Sequence, residues 1–276
     1  MNENVVAQYF GTWAENGNKH CSWEQKFRPA EIPFDKLNRL YVALAELKRG
    51  ADGHWTIAVP DDRVEHFSEV ASAARKHNPS AELFVMVGND DTSEKFDAAA
   101  QDPDFAGNVL AFLKEHGLVG CDLDQETYVR AELMSMMLQN LDQALHPAEC
   151  KLTVAVWPYP NSMYDVPVVA KCVDQVNLMS YGHGFDLKGS ISEWENAKMP
   201  ASKLVGGIET EYDYGGGVDT IGDNGSIAQK CKIAKAKRLA GMMAWRLDND
   251  YCTPNVCLPT YQGAEALWHY MEEVKA

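Results

Sequence analysis

Three carboxylates occupy alternate positions, Asp122, Asp124 and Glu126, in the segment GLVGCDLDQETY that spans residues 117–128. Because side chains of a β-strand alternate between its two faces, all three would project from one face if this segment is a strand. Neighbours at i and i+2 are then about 6.6 Å apart. Carboxylates that close in a partly dry cavity do not all ionise, so at least one pKa rises and a proton is retained. A carboxylic acid that keeps its proton near neutral pH is suited to act as a general acid.

Other chemistry is compatible with the same three acids. A solvated acidic run is common in acidic proteins, but the apolar residues that alternate with these acids favour a strand. A calcium loop of the EF-hand type would need glycine at the position of Thr127 and glutamate at that of Leu133. A divalent metal held by the three carboxylates stays open, although no histidine accompanies them. We expect proton chemistry with no metal and no cofactor.

The elements that would position these acids recur along the chain as eight short apolar runs. The runs are rich in Val, Leu and Ile, and they are Val5–Phe10, Leu40–Leu47, Leu83–Val87, Leu118–Leu123, Leu152–Trp157, Val173–Met179, Leu204–Ile208 and Gly241–Trp245. Runs that are apolar on both faces are typical of the buried strands of a parallel sheet.

Helical patterns lie between the apolar runs. Apolar residues recur at helical spacing in Arg63–His77, Asp104–His116, Thr127–Leu145 and Ser226–Arg238. Ser226 is the expected N-cap of the last of these helices. Strands that alternate with helices eight times over predict an α/β fold, a single (β/α)8 TIM barrel that forms one domain over residues 1–276. An open doubly wound sheet is the alternative, and eight units in this length favour closure.

In such a barrel the catalytic groups lie at the C-terminal ends of the strands. Aromatic and acidic side chains predominate at the expected ends, which carry Tyr9, Glu46, Asn89, Asp90, Asp122, Asp124, Glu126, Trp157, Tyr159, Tyr181, Glu209, Glu211, Trp245 and Asp248. This mixture suggests a carbohydrate cleft, where sugar faces stack on rings and acids do the chemistry. The apolar side chains of Val119, Cys121 and Leu123 are expected under the helices, where an unpaired carboxylate would be costly. The three acids therefore point into the barrel, with Glu126 nearest its mouth.

Composition narrows the range of partners. The net charge of −15 argues against nucleic acid and anionic membranes, since both need basic patches. The chain has no run of about 18 apolar residues, so no membrane span is predicted. The segment MNENVVAQYFGTW is not a signal peptide, which predicts a cytoplasmic protein, or a secreted one if a signal peptide has been removed. We expect a monomer.

The seven cysteines include no C-x-x-C pair and do not cluster with histidines, so no zinc site is predicted. Cys252 and Cys257 flank one loop, and Cys21 would lie beside it when the barrel closes. We expect a bridge among these three cysteines if the protein matures in an oxidising compartment.

Four segments resemble the motifs of glycoside hydrolase family 18, the chitinases and endo-β-N-acetylglucosaminidases. Gly120–Glu126, GCDLDQE, is similar to the family motif D-G-x-D-x-D-x-E, and Met179–Tyr181 is similar to the M-x-Y of its sixth strand. Pro200–Val205 resembles the run into the seventh strand, and Gly241–Trp245 with Asp248 resembles the tryptophan motif of the eighth. Four motifs in the right order on the right strands make the resemblance specific.

The resemblance implies hydrolysis of β-1,4 linkages next to N-acetylglucosamine, with retention of configuration. Glu126 would protonate the glycosidic oxygen while the 2-acetamido carbonyl of the substrate attacks the anomeric carbon. Asp124 would bind the acetamido N–H and stabilise the oxazolinium cation, and Asp122 would share a proton with Asp124. Tyr181 would donate to the acetamido carbonyl, and Trp245 would form the floor under the sugar. Further substrate-binding side chains are expected from Tyr9, Trp157 and Met179.

The sequence departs from the family pattern at several positions. Val119 replaces the first Asp of the motif, and Gly182 replaces the Asp that usually follows the tyrosine of M-x-Y. Met86–Asn89 stands in place of the third-strand S-x-G-G and lacks its hydroxyl. The segment Thr210–Gly225 is too short for the insertion domain of some chitinases, which implies a shallow, open groove.

Four functional hypotheses stay open. The substrate is chitin or its oligosaccharides in the first case, and the core of an N-linked glycan in the second, as for an endo-β-N-acetylglucosaminidase. A barrel glycosidase with an ordinary nucleophile would instead pair Glu126 with Glu209 or Glu211. A non-catalytic chitin-binding lectin on the same barrel would usually have lost the acid, and Glu126 is present.

Overall fold

The strands form a closed parallel barrel in the computed structural model, which describes residues 4–13, 22–89, 92–211, 217–252 and 258–272. In chain order the strands are β1 Val5–Gly11, β2 Arg39–Arg49, β3 Trp55–Ala58, β4 Glu82–Asn89, β5 Gly120–Gln125, β6 Lys151–Val156, β7 Gln175–Leu178, β8 Leu204–Glu209 and β9 Gly241–Trp245. All but β3 belong to the barrel, which runs β1-β9-β8-β7-β6-β5-β4-β2 and closes by pairing β1 with β2. The single TIM barrel is confirmed. Only residues 210–225 separate β8 from the next helix, which leaves no room for an inserted domain.

Helices cover the outside of the barrel. They are α1 Trp23–Lys26, α2 Val64–His77, α3 Ser93–Ala100, α4 Phe105–His116, α5 Ala131–Leu145, α6 Val166–Cys172, α7 Leu187–Asn196, α8 Ser226–Lys237 and α9 Gln262–Glu272. The four predicted helices correspond to α2, α4, α5 and α8. The expected cap of α8 is wrong, because the N-cap is Gly225 and the Ser226 hydroxyl instead donates to Asp219 at 2.7 Å. Within the described part of the chain, no helix is long and apolar enough to cross a membrane.

The strand β3 is an addition that the apolar runs did not predict. Strand β2 continues beyond the barrel to Arg49, and β3 pairs back on it in antiparallel fashion, with Glu46 opposite Ala58. Glu46 is consequently an exposed residue of this hairpin and does not lie at the barrel mouth. The turn residue Gly53 has a φ of +88°, a conformation that favours glycine.

Two apolar layers surround the strands. The smaller one fills the barrel and contains Val5, Ala7, Tyr9, Tyr41, Ala43, Leu44, Phe84, Met86, Val205 and Met243. The larger one lies between the barrel and its helices, and it includes Cys121 and Leu123. Val119 differs from the expectation, because it precedes β5 and is 37% exposed. The alternation of β5 therefore holds from Gly120 onward, and Asp122 and Asp124 project into the barrel.

The expected bridge among the three cysteines stays a prediction. Cys21 and Cys257 lie outside the described residues, while Cys252 is buried at the edge of its loop. Asp90, which was expected at the end of the third barrel strand, also lies outside the described residues.

Candidate active site

Seven of the eight expected site residues line one cavity of about 110 Å³. The cavity lies where the barrel strands end, and it is lined by Tyr9, Asp124, Glu126, Ala155, Trp157, Met179, Tyr181 and Trp245. These residues come from five different strands or from the loops that follow them. The eighth expected residue, Asp122, lies one inward position deeper in β5, beneath the cavity floor.

A larger cavity, of about 540 Å³, lies at the opposite end of the barrel. Its charged side chains satisfy one another: Arg39 pairs with Glu82, and Glu82 also pairs with Lys151. The N-terminal face of such a barrel usually serves stability, while chemistry lies at the C-terminal face. We therefore assign the candidate site to the smaller cavity.

Asp122 is fully buried and accepts three hydrogen bonds from three other strands. The Tyr9 hydroxyl donates to Oδ2 at 2.7 Å, the Asn177 amide donates to Oδ1 at 3.0 Å, and the Thr153 hydroxyl also donates to Oδ1. Burial raises the pKa of Asp122 to about 6, although the three donors and the charge of Arg39 act in the opposite direction. The deepest acid of the motif is thus a carboxyl group whose protonation state changes in the mildly acidic range.

This shift predicts a pH-dependent contribution to stability. The folded pKa of about 6 exceeds the ordinary value, so the folded state binds more protons than the unfolded state between roughly pH 4 and pH 6. Stability then falls by about 3 kcal/mol as the pH rises through this window. Asp122→Asn removes the titrating group and leaves an amide that can pair with the same partners. We compare the Tm difference, variant minus wild type, at two pH values. We expect this difference to be about 5 °C larger at pH 7.5 than at pH 4.5.

Thermal unfolding followed by circular dichroism at both pH values measures this difference. A matched control is Asp61→Asn, which changes an exposed carboxylate in the loop before α2. A Tm difference between Asp122→Asn and wild type that does not change with pH would contradict the raised pKa.

Asp124 and Glu126 lie at the upper end of the acidic segment, and a tyrosine faces both of them. Asp124 is nearly buried, at 4% exposure, while Glu126 follows the last residue of β5 and is partly exposed. Burial, aided by the charges of Asp124 and Glu126, raises the pKa of the Tyr164 phenol. This protonated phenol beside the two acids was not predicted from sequence. Tyr164 belongs to the loop before α6, and no strand-end position marks it.

A glycine brings β4 close to the acidic strand. Gly88 pairs with Asp124 in register and has a φ of +112°. A Cβ at Gly88 would lie 2.3 Å from the backbone oxygen of Asp124, so any larger residue would displace the acidic strand. Gly88 belongs to the segment that stands in place of the family's third-strand motif, and the packing of β4 against Asp124 requires glycine at this position.

Aromatic side chains form one wall of the cavity. The ring of Trp245 lies 5.6 Å from that of Tyr9 and 6.3 Å from that of Trp13, centroid to centroid. On the other side, Trp157 and Tyr159 are exposed at the rim, at 43% and 44%. Trp13 was not predicted as a site residue, although its position just after β1 is a strand-end signal. The arrangement offers ring faces on both sides of the acids, which suits the stacking of sugars.

The two glutamates at the end of β8 do not line the cavity. Glu211 forms an ion pair with Arg246 at 2.8 Å, and although burial opposes it, Arg246 holds the pKa of Glu211 below its ordinary value. Glu209 is buried, and burial together with the charges of Asp219 and Glu211 raises its pKa to about 7. A paired carboxylate and an acid that keeps its proton up to about pH 7 are both poor candidates for an ordinary nucleophile. The acids that line the cavity are Asp124 and Glu126.

The backbone conformation at position 182 favours glycine over the aspartate that usually follows the tyrosine of the M-x-Y motif. Its φ of +91° is strained for residues with a side chain, and its backbone N–H donates to Asp219 at 3.2 Å. The same oxygen, Oδ2 of Asp219, also accepts hydrogen bonds from the Glu209 backbone N–H and from the Lys230 ammonium group. The carboxylate that contacts this position is therefore that of Asp219, from the loop after β8, and it is hydrogen-bonded to the backbone and to Lys230.

Comparison with known proteins gives a consistent picture. The family model described as glycosyl hydrolases family 18 matches residues 5–221. The fold is similar to a class V chitinase from Nicotiana tobaccum, with a TM-score of 0.79, 17% identity and coverage of 98% of this chain and 99% of that chain. It is also similar to a chitinase from Cycas revoluta in complex with (GlcNAc)3, with a TM-score of 0.75, 19% identity and coverage of 96% and 99%. A third similar structure is the group IV chitinase of Ostrinia furnacalis, with a TM-score of 0.74, 19% identity and coverage of 98% and 100%. A search of curated proteins found no match.

Proposed function

Because the chain belongs to the glycosyl hydrolases of family 18, we propose that it hydrolyses β-1,4 linkages of N-acetylglucosamine-containing glycans, with chitin or chitooligosaccharides as substrate. The observation that carries the proposal is the cavity in which Glu126 and Asp124 lie among Tyr9, Tyr181 and Trp245. The partly exposed carboxyl group of Glu126 at the mouth can reach a glycosidic oxygen, and the rings around it can hold the sugar.

The reaction would proceed by substrate-assisted retention. Glu126 donates its proton to the glycosidic oxygen as the bond to the leaving sugar breaks. The 2-acetamido carbonyl of the same substrate attacks the anomeric carbon, and a cyclic oxazolinium intermediate forms. Glu126, now ionised, then takes a proton from the water that opens this ring. Two inversions at the anomeric carbon give net retention.

Asp124 and Asp122 would support the cation. Asp124, deeper than Glu126, accepts the acetamido N–H and offers a negative charge to the oxazolinium ion. Asp122, with a pKa of about 6, can hold a proton or release it within the working range of such an enzyme. Tyr181 lines the same cavity, and its hydroxyl would donate a hydrogen bond to the acetamido carbonyl. The interaction of each of these groups with the substrate becomes stronger as charge develops in the transition state.

The rival functions differ in their support. Several of the similar structures were solved with chitooligosaccharides, including the class V chitinase with NAG4 and YKL-39 in the presence of GlcNAc4. This supports a carbohydrate ligand, and the retained Glu126 favours an enzyme over a lectin. The short segment after β8 and the exposed rim residues Trp157 and Tyr159 favour an open groove, which suits a chain of sugars.

Product analysis tests the proposal directly. The protein is incubated with chitotetraose and, separately, with a high-mannose glycopeptide, and the products are identified by mass spectrometry. We expect chitobiose or shorter oligosaccharides from chitotetraose and an unchanged glycopeptide. Cleavage of the glycopeptide alone would favour the endo-β-N-acetylglucosaminidase alternative. Tight chitotetraose binding without cleavage of either substrate would favour the lectin.

A further inference from the structure

Four charged side chains are buried together behind the cavity wall. Glu211 follows β8, Arg246 and Asp248 follow β9, and Lys26 ends α1. Their exposure is 7%, 2%, 0% and 1%, in that order. We call these four residues the buried charge cluster. It contains two cations and two anions, so it is neutral as a unit, and none of its members lines the cavity.

The buried charge cluster is connected by short ion pairs. Arg246 donates from Nε and Nη2 to the two carboxylate oxygens of Glu211, at 3.0 and 2.8 Å. Its Nη1 donates to Asp248 at 2.7 Å, and the Lys26 ammonium group lies 2.5 Å from the same oxygen. The bidentate pairing with Arg246 fixes the orientation of the Glu211 carboxylate as well as its position.

The cluster contacts the aromatic wall at two points. The indole Nε1 of Trp245 donates to Glu211 Oε2 at 2.8 Å. Lys26 donates to the backbone oxygen of Trp13 at 2.6 Å, and the Arg246 guanidinium carbon lies 4.6 Å from the centre of the Trp13 ring. Trp245, which lines the cavity, and Trp13, which packs against it, are thus both held by the buried charge cluster.

Glu211 accepts four hydrogen bonds, which only an ionised carboxylate can do. The donors are Trp245 Nε1, Arg246 Nε, Arg246 Nη2 and the Asn249 amide, the last at 2.7 Å. An isosteric glutamine has one acceptor oxygen and two amide hydrogens, so two of the four donors would face another donor. A buried ion pair is weak evidence for a role in stability. The contacts of the buried charge cluster with Trp245 and Trp13 point instead to a role at the cavity wall.

We propose that Glu211 is a positioning residue whose carboxylate, oriented by Arg246, fixes the plane of the Trp245 indole at the cavity. The part of this inference that concerns sugar binding rests on the proposed function. The part that concerns the indole rests only on the contacts between the three side chains. Trp245 would contact the sugar in the ground state and the transition state alike, so a misplaced ring weakens binding more than it lowers kcat.

The test compares Glu211→Gln with wild type in two measurements. Hydrogen exchange of the Trp245 indole N–H is followed by ¹⁵N NMR, with the signal assigned by its loss in Trp245→Phe. We expect exchange at least about tenfold faster in Glu211→Gln, because the indole loses its acceptor. We also expect the Kd for chitotetraose to rise by about threefold to tenfold, the size of a lost aromatic contact.

A double-mutant cycle separates positioning from general destabilisation. In the Trp245→Phe background there is no indole N–H to position, so Glu211→Gln should change the Kd by less than about twofold. Equal effects of Glu211→Gln in both backgrounds would overturn the proposal. Glu211→Asp keeps the charge for Arg246 but withdraws the oxygen from the indole, and it should reproduce the faster exchange if Glu211→Gln does not fold.

Glu82→Gln is a matched control. It removes the same charge from another arginine ion pair, that of the partly exposed Glu82 with the buried Arg39, at the opposite end of the barrel. We expect it to leave the exchange rate of the Trp245 indole and the Kd unchanged. If wild type binds no N-acetylglucosamine oligomer, the proposed function fails while the exchange measurement still decides the positioning role. Unchanged exchange in both Glu211 variants would refute the positioning role and leave the proposed function standing.

Discussion

Glu126→Gln should lower the rate of chitotetraose hydrolysis by roughly 10²- to 10⁴-fold, the usual size of a general-acid contribution. The amide keeps the shape of the side chain and its place at the mouth of the cavity, but it has no proton to donate. Binding of chitotetraose should therefore be preserved. Steady-state kinetics and isothermal titration calorimetry measure the two quantities.

A matched control is available in the first turn of the following helix. Glu132→Gln makes the same chemical change at an exposed position of α5, and we expect activity equal to that of wild type. Activity of Glu126→Gln within tenfold of wild type would show that another group supplies the proton. Loss of binding together with activity would instead indicate a folding defect, which the Tm of the variant reveals.

The second large effect is expected from Asp124 and from the acetamido group that it would bind. Asp124→Ala should lower kcat/KM for an N-acetylglucosamine oligomer by about 100-fold or more, because the site loses the charge that faces the oxazolinium ion. Glu209→Gln and Glu211→Gln should each cost about tenfold or less, since neither residue lines the cavity. A thiazoline that mimics the cyclised sugar should inhibit competitively.

Substrates with a changed 2-position complete this comparison. Replacement of the acetamido group by a free amine or a hydroxyl should abolish cleavage if the substrate supplies the nucleophile. With an enzyme nucleophile the order of effects reverses: a β8 glutamate becomes essential, and a 2-fluoro sugar labels it covalently. An active Asp124→Ala beside an inactive Glu209→Gln or Glu211→Gln would overturn the substrate-assisted mechanism and leave the barrel unaffected.

Most predictions that depended on local periodicity were confirmed. The eight apolar runs became the eight barrel strands, because a strand buried on both faces is apolar wherever it pairs. The hairpin of β2 and β3 was missed, since Trp55–Ala58 is only four residues long and part of it is exposed. Val119 was placed under the helices by extending the alternation one residue too far, before the strand begins.

The contacts that were missed around the site have a common cause. Tyr9 and Asp122 are 113 positions apart, and Asn177 is a further 55 positions beyond Asp122, yet the three form one hydrogen-bonded group. Tyr164 and Trp13 reach the site from loops whose course follows no periodic pattern. Contacts of this kind depend on the register between strands and on how the barrel closes, which no short segment specifies.

The sequence by itself determined the barrel, the inward direction of Asp122 and Asp124, and seven of the side chains that line the cavity at the C-terminal ends of the strands. Each of these follows from alternation within a segment and from the order of segments, which are local properties. Only the tertiary structure decided what those side chains do. It buried Asp122, and this burial raises the pKa to about 6 although three donors act in the opposite direction. It also bound Glu211 to Arg246 and Trp245. Protonation and pairing depend on burial and on partners from distant strands, and these exist only after the barrel has closed.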